Sequence, residues 1–381
     1  MRKSNSLLWP LLVARMICTV LPAGATEEWQ IVSPDTTLRD VSRVLVQPGE
    51  LLLLNPYSPD LLPMVERLGG VQARGIALSG VAIDRLSGEH LFLSIDSDWD
   101  IWKTNDVIRC EFSGSNCTPV MIGEAAGIPE GVKISAIATQ VVGGVQNLYV
   151  SFDTTFRIGS TVFRPSDLAR WTGSTLVMAL PHGASGTVAH WSVTGASLRP
   201  DTSWQLAFDT GGQMPFPGSL RFFTSDILRA NPTVNAHALR LRARSLDWEG
   251  AKVTAFDALD SGLVQFDSFS VIVNHGTNPV TLTVRRTDGS EGLIRMSYAT
   301  IAGSAQPGVD YAFTQGVLTW NHGDATDRQI QIPILNTTGS GIDKSFSVLL
   351  FPDNQWALPG NPAETTLTIP NQDVLFRDDF E

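Results

Sequence analysis

Charge is scarce in this chain. Only 17% of its 381 residues are Asp, Glu, Lys or Arg, against roughly 25% in an ordinary soluble domain. Basic residues are scarcest: 27 Lys plus Arg face 38 acids, for a net charge of −11. Such a chain has no basic face to neutralise phosphates, which sets nucleic acid aside as a partner. Beyond residue 25 no run is apolar for the ~20 residues that a membrane-spanning helix needs, so no transmembrane segment is expected in the mature chain. Catalytic signatures are missing too. None of the six histidines lies in an HExxH pair or beside a cysteine cluster. Gly183-Ala184-Ser185-Gly186-Thr187 lacks the closing glycine of a nucleophile elbow, and there is no P-loop. What is plentiful is Gly (33), Pro (22) and Trp (10), within a composition that is 43% hydrophobic. That mixture points to turns and aromatic packing in an all-β fold.

Residues 1–25 read as a secretory signal: Arg2 and Lys3, an apolar stretch from Leu7 to Leu21, then Ala23-Gly24-Ala25 before Thr26. Pro10 and Arg15 interrupt the apolar stretch. Cleavage would remove Cys18 and leave Cys110 and Cys117, an even count in an oxidising compartment, so these two are expected to form a disulfide across a tight hairpin. Zinc is the rival, but two cysteines with no histidine nearby cannot complete a tetrahedral site. The protein is therefore expected to be secreted, periplasmic or held at the cell surface.

Residues 26–262 repeat. An apolar strand ending in aspartate recurs as LFLSID to Asp96, LYVSFD to Asp153, WQLAFD to Asp209 and KVTAFD to Asp257, at spacings of 57, 56 and 48 residues. A second element, Asp followed by aliphatic residues and Arg, sits downstream of the first three: Asp106 to Arg109, Asp167 to Arg170, Asp226 to Arg229. Asp60-Leu61-Leu62, after the run Leu51 to Leu54, is a further copy that precedes any first element. The chain thus opens with a second half-unit and closes with a first, the circular phase of a β-propeller of about four blades sealed by both ends. The half-unit around Leu51–Leu62 is expected to pair with the one around Val253–Asp257. The repeated aspartates are expected to be turn formers whose carboxylates accept local N–H groups, and Arg109, Arg170 and Arg229 to pair with their own aspartates or with the next blade. An open stack of hairpins is the structural rival.

Near Gly262 the pattern changes to strand-like runs at Thr281–Arg285, Ile294–Tyr298, Val317–Trp320, Ile330–Ile334, Phe346–Phe351 and Thr365–Ile369, the habit of a small antiparallel sandwich. Val280 to Arg286, Ser297-Tyr298-Ala299-Thr300, Gly308-Val309-Asp310-Tyr311, Gly316 to Trp320, Ile332-Pro333-Ile334, Phe346 to Leu350 and Thr366 to Ile369 carry a family resemblance. Residues 263–373 resemble a Calx-beta domain. The resemblance implies an immunoglobulin-like sandwich of the kind used in surface and adhesion proteins and, in some members, for calcium. The last eight residues, 374–381, resemble acidic-aromatic tails of exported bacterial proteins.

Calcium is the one cofactor that this resemblance brings, and the residues argue for weak or lost binding. Of the acids that binding members cluster at one end, this chain keeps Asp310, Asp343 and Asp373, with Lys344 beside them and His275 at an expected first position. Calcium wants six to eight oxygens, and affinity rises with the number of charged ligands. A second acidic cluster, Asp96, Asp98 and Asp100, opens like a calcium loop but has Ile101 where the turn needs glycine and Val107 where the closing glutamate belongs. No catalytic residue is assigned. The expected function is binding or adhesion, non-catalytic, with an unknown surface protein or glycan as partner. The alternative is an exported hydrolase working on a carbohydrate in the propeller funnel, since propellers host both kinds of activity.

Overall fold

The computed structural model describes residues 29–34, 38–39, 45–46, 51–54, 66–68, 77–98, 101–112, 116–181, 191–200, 202–213, 221–224, 226–231, 236–241, 253–273, 277–335 and 342–370. The fold is all-β, with no helix among the described residues. The expected export signal at residues 1–25 and the tail at 374–381 lie outside the described residues. Compact packing divides the chain after Leu259 into a repeat unit, Glu28–Leu259, and a unit built on Asp260–Glu381.

The repeat unit contains four antiparallel sheets of four strands each. The first runs Val253–Leu259, Trp29–Pro34, Leu51–Leu54, Glu66–Leu68; the second Leu78–Ile83, His90–Ile95, Val107–Glu111, Thr118–Met121. The third runs Ile134–Val142, Val145–Phe152, Leu168–Trp171, Leu176–Leu180; the fourth Val193–Leu198, Trp204–Phe208, Ile227–Asn231, Ala236–Leu241. Each sheet is open, with an outer edge strand. The innermost strands pack in a circuit: Leu78–Ile83 on Ile134–Val142, that strand on Val193–Leu198, that on Val253–Leu259, and Val253–Leu259 back on Leu78–Ile83.

This approach is close enough to restrict residue size. A Cβ on Gly80 would lie 2.9 Å from the Ile137 side chain, and one on Gly195 would lie 2.7 Å from Phe256 Cβ. Each innermost strand also carries a register shift against its neighbour at the same place, after Leu78, Ile134 and Val193 and opposite Ser33/Pro34. Such bulges add twist and recur at fixed positions in related sheets. Alternation along the strands feeds two cores. Leu148, Val150 and Phe152 of the third sheet pack with Ala82, Phe92 and Val107 of the second. Tyr149, on the other face, packs with Trp204, Leu206 and Leu228 of the fourth.

Two sequence expectations change here. The half-units around Leu51 and Val253 do share a sheet, but Trp29–Pro34 lies between them and pairs with both. KVTAFD is not a fourth copy of the strand ending in aspartate. It is an innermost strand, equivalent to LSGVAI, ISAIAT and VTGASL, whereas WQIVSP holds the second-strand place in the first sheet. Its aspartate therefore sits in the middle of a strand, fully buried.

The other unit is a sandwich. Leu263–Phe266, Val280–Thr287 and Arg328–Ile332 form one sheet. Ser270–Ile272, Glu364–Ile369, Lys344–Pro352, Ile294–Ile301 and Gln315–Trp320 form the other. All six expected runs are strands; Leu263–Phe266 and the short Ser270–Ile272 join them. Trp320, Trp356, Tyr311, Phe346 and Phe266 fill the interior, and Tyr311 stacks on Phe346 with ring centroids 3.8 Å apart. Arg286 is buried as well. Its guanidinium donates to the carbonyls of Ser261, Glu291, Gly292, Asn321 and Asp324, and burial lowers its pKa to about 10 against the opposing pull of Asp324, Asp260 and Glu291.

Candidate functional site

Among the described residues of the repeat unit, five aspartates are used up by the fold. Before the third strand of three sheets the same turn recurs. Asp106, Asp167 and Asp226 each accept, on a carboxylate oxygen, the N–H of the residue three before: Lys103 (2.9 Å), Arg164 (2.8 Å) and Phe223 (2.9 Å). Each returns its own N–H to that residue's carbonyl. Asp153 and Asp209 accept the N–H groups of Lys133 (2.8 Å) and Ser192 (2.9 Å), just before the innermost strands of their own sheets. A carboxylate held by backbone donors sets a turn and is poorly placed to take up a substrate proton.

Where the innermost strands meet, four of them contribute to one polar network. Arg85, just beyond Leu78–Ile83, donates to Asp257 Oδ1 (3.1 Å) and Oδ2 (3.2 Å), to the Ala258 carbonyl (2.8 Å) and to the Thr139 hydroxyl. Asp257 also accepts the Ile83 N–H at 2.7 Å, and Ser197 Oγ accepts the Ala258 N–H at 3.3 Å. Arg85 and Asp257 are 1% and 0% exposed, so this ion pair is interior structure without access for a ligand.

Access exists between the third and fourth sheets. An open groove of about 470 Å³ is lined by Gln140, Tyr149 and Arg170 on three successive strands of the third sheet, by Val177 to Pro181 along its outer edge, and by Leu198, Thr202 and Trp204 of the fourth. Tyr149 and Trp204 meet edge to face, centroids 5.4 Å apart. The Tyr149 hydroxyl donates to Gln140 Oε1 at 3.3 Å. Burial raises the phenol's pKa, opposed by the charge of Arg170. Arg170 Nη1 donates to Asn147 Oδ1 at 3.2 Å. No carboxylate or imidazole lines the groove among the described residues.

The sequence had singled out other residues. Cys110 and Cys117 are joined by a disulfide (S–S 2.04 Å) at the mouth of the hairpin between Val107–Glu111 and Thr118–Met121. Arg109 pairs with Asp84 of its own sheet at 2.6 Å, so neither Asp106 nor a neighbouring sheet supplies its partner. Arg170 meets Asn147 rather than Asp167; the side chain of Arg229 lies outside the described residues.

Of the acidic candidates, Asp96 and Asp98 are held by Lys133 Nζ (3.4 Å) and Lys103 Nζ (3.0 Å), and Asp100 lies outside the described residues. In the sandwich, Asp310 is buried and takes Lys344 Nζ at 2.6 Å on one oxygen and the Gln306 N–H at 2.8 Å on the other. Burial pushes the Asp310 carboxyl up, but these two donors outweigh it and leave the pKa below the usual range. Asp343 is exposed one residue before that strand, and Asp373 and His275 lie outside the described residues. Among the described residues no three His, Cys, Asp or Glu side chains are grouped to hold a metal.

The groove was missed because its residues are spread over all four strand positions of a sheet. The one available signal is the residue two places past Ala82 and Ala138 of the innermost strands, Asp84 in the second sheet and Gln140 in the third.

Residues 257–373, under a third of the chain, match the family model of the Calx-beta domain, and the sandwich that follows Leu259 is a Calx-beta domain. No curated protein matches. Among solved structures, the apo form of the Calx CBD1 domain is similar at 19% identity over 29% of this chain and 99% of its own, with a TM-score of 0.27. The Calx CBD2 domain is similar at 17% identity over 30% of this chain and 90% of its own, TM-score 0.27. The extracellular domain of a one-component-system protein of B. thetaiotaomicron is similar at 9% identity over 90% of this chain and 57% of its own, TM-score 0.26.

Proposed function

We propose that this is an exported, non-catalytic binding protein in which a four-bladed propeller presents a ligand groove and the Calx-beta domain is a structural module. The circuit of innermost strands, with the first sheet drawn from both ends of the unit, supports the propeller. The Cys110–Cys117 disulfide supports export, since such bonds persist in oxidising compartments. No helix among the described residues is long and apolar enough to cross a membrane.

The groove beside Tyr149 and Trp204 carries the functional reading. It joins aromatic and aliphatic walls to an amide, a hydroxyl and a guanidinium, which is how a small-ligand site sets orientation and specificity. A glycosidase needs two carboxyl groups across such a cleft, and the described lining supplies none. In the sandwich, Lys344 occupies the carboxylate that calcium would need first, which supports weak calcium binding at most.

A glycan array probed with the mature chain, residues 26–381, tests the binding reading. Saturable binding to a subset of glycans is expected, lost in Val177→Glu, a change on the exposed groove wall, with the bound glycan recovered intact. Cleavage of the bound glycan would replace this reading with the hydrolase.

A further inference from the structure

We propose that the groove is an anion site in which Arg170 receives the carboxylate of a uronic-acid sugar; this rests on the groove being the ligand site of the repeat unit. The argument is a comparison inside the chain. In the second sheet, cross-strand register aligns Ala82 with Phe92 and Phe92 with Arg109. In the third, it aligns Ala138 with Tyr149 and Tyr149 with Arg170. Arg109 and Arg170 are therefore equivalent, and so are Asp84 and Gln140, two residues past Ala82 and Ala138. In the second sheet, the nearly buried Asp84 neutralises Arg109 at 2.6 Å. In the third, the acid has become an amide whose oxygen is taken by the Tyr149 hydroxyl. Arg170 is left donating to the neutral Asn147, with no ion pair among the described residues. The repeat has lost its counter-ion where the groove opens onto the arginine.

A half-buried guanidinium without an anion beside it among the described residues, in a chain of net charge −11, is a receptor for an external one. Its planar fork matches a carboxylate in a bidentate pair. The remaining lining suits a sugar. The Gln140 amide, the Tyr149 hydroxyl and the Thr202 hydroxyl alternate with Val177, Leu198 and Pro181, as a ring with polar edges and apolar faces requires. The volume of about 470 Å³ falls in the range of small-ligand sites.

The test is calorimetric titration of the mature chain, at low ionic strength, with digalacturonate and with its methyl ester, in which each carboxylate charge is removed and a methyl group added. The acid is expected to bind at least tenfold more tightly than the ester. Arg170→Gln should abolish that preference. Gln140→Glu should abolish it too, by restoring the acid that the second sheet holds here, in a near-isosteric change whose folding is checked by its melting curve. Arg109→Gln should leave it unchanged. Equal affinities for acid and ester, or a preference that survives both groove variants, overturns the carboxylate assignment. Failure of both probes while the array still shows binding lost in Val177→Glu also overturns it, and leaves the binding reading standing. Failure in both assays overturns the two together.

Discussion

Arg85 in the repeat unit and Arg286 in the sandwich are 1% and 3% exposed, yet the two interiors satisfy them by different means. Arg85 meets a carboxylate 172 residues away, Asp257, and through it ties the second sheet to the first. Arg286 touches no carboxylate in its hydrogen bonds and fastens five carbonyls, the farthest 38 residues away. The difference follows from what each unit has to specify. Innermost strands of similar composition could exchange neighbours, and a buried ion pair makes one pairing far better than the rest, the best-attested use of such pairs. The sandwich strands already differ in length and pattern, so its arginine is spent on loops.

The comparison breaks most visibly at Asp257. Asp257→Ala leaves Arg85 as an uncompensated buried charge and is expected to destabilise the repeat unit by roughly 3–5 kcal/mol, read as a lower denaturant midpoint by tryptophan fluorescence. The double change Arg85→Met with Asp257→Leu should recover most of that loss. Arg286→Met orphans carbonyls, several of them near solvent, and should cost the sandwich about 3 kcal/mol, followed as its calorimetric transition. A single loss of similar size from both changes at one transition would show that the two arginines serve one cooperative structure.

Smaller effects sharpen the contrast. Replacing Cys110 and Cys117 by Ser opens a loop of seven residues' separation and should cost about 2.5 kcal/mol on the chain-entropy model, in the repeat unit alone. Smallest is a pH effect confined to the sandwich. The N–H of Thr326 above all, with its hydroxyl and Arg328, holds Asp324 at about 2. A folded pKa depressed below the unfolded value of about 3.9 stabilises at higher pH, and the benefit drains away as pH falls from about 4 towards 2. The sandwich transition should therefore move down over that window, and Asp324→Asn should flatten the dependence.

The sandwich was legible in the sequence because its strands alternate over one shared core: Val280, Leu282, Val284 and Arg286 face inward while Thr281 and Arg285 do not. The repeat was half legible. Aspartate just before a third strand has a local cause, the N–H three residues back, so Asp106, Asp167 and Asp226 could be read without knowing the fold, whereas Asp153 and Asp209 reach donors 20 and 17 residues away. The innermost strands have a different cause. LSGVAI, ISAIAT, VTGASL and VTAFDA are constrained by another sheet's backbone, which makes them small and buried on both faces, without alternation. Reading KVTAFD by its final aspartate misplaced it for that reason. The groove was illegible because Arg170 means something different from Arg109 only once cross-strand register sets Gln140 where Asp84 stands.

The first sheet also imposes a schedule. A ribosome delivers Trp29–Pro34 long before Val253–Leu259, its partner along six residue pairs. Until residue 259 emerges, the earliest strand keeps one bare edge, Arg85 waits for its anion, and the circuit has a gap one strand wide. Such an edge is a template for pairing with another chain, and long-range closure is slow compared with the hairpins that precede it. The last strand thus acts as a clasp: the repeat unit is competent only when its synthesis is finished, and a chain stopped before Val253 leaves an adhesive fragment.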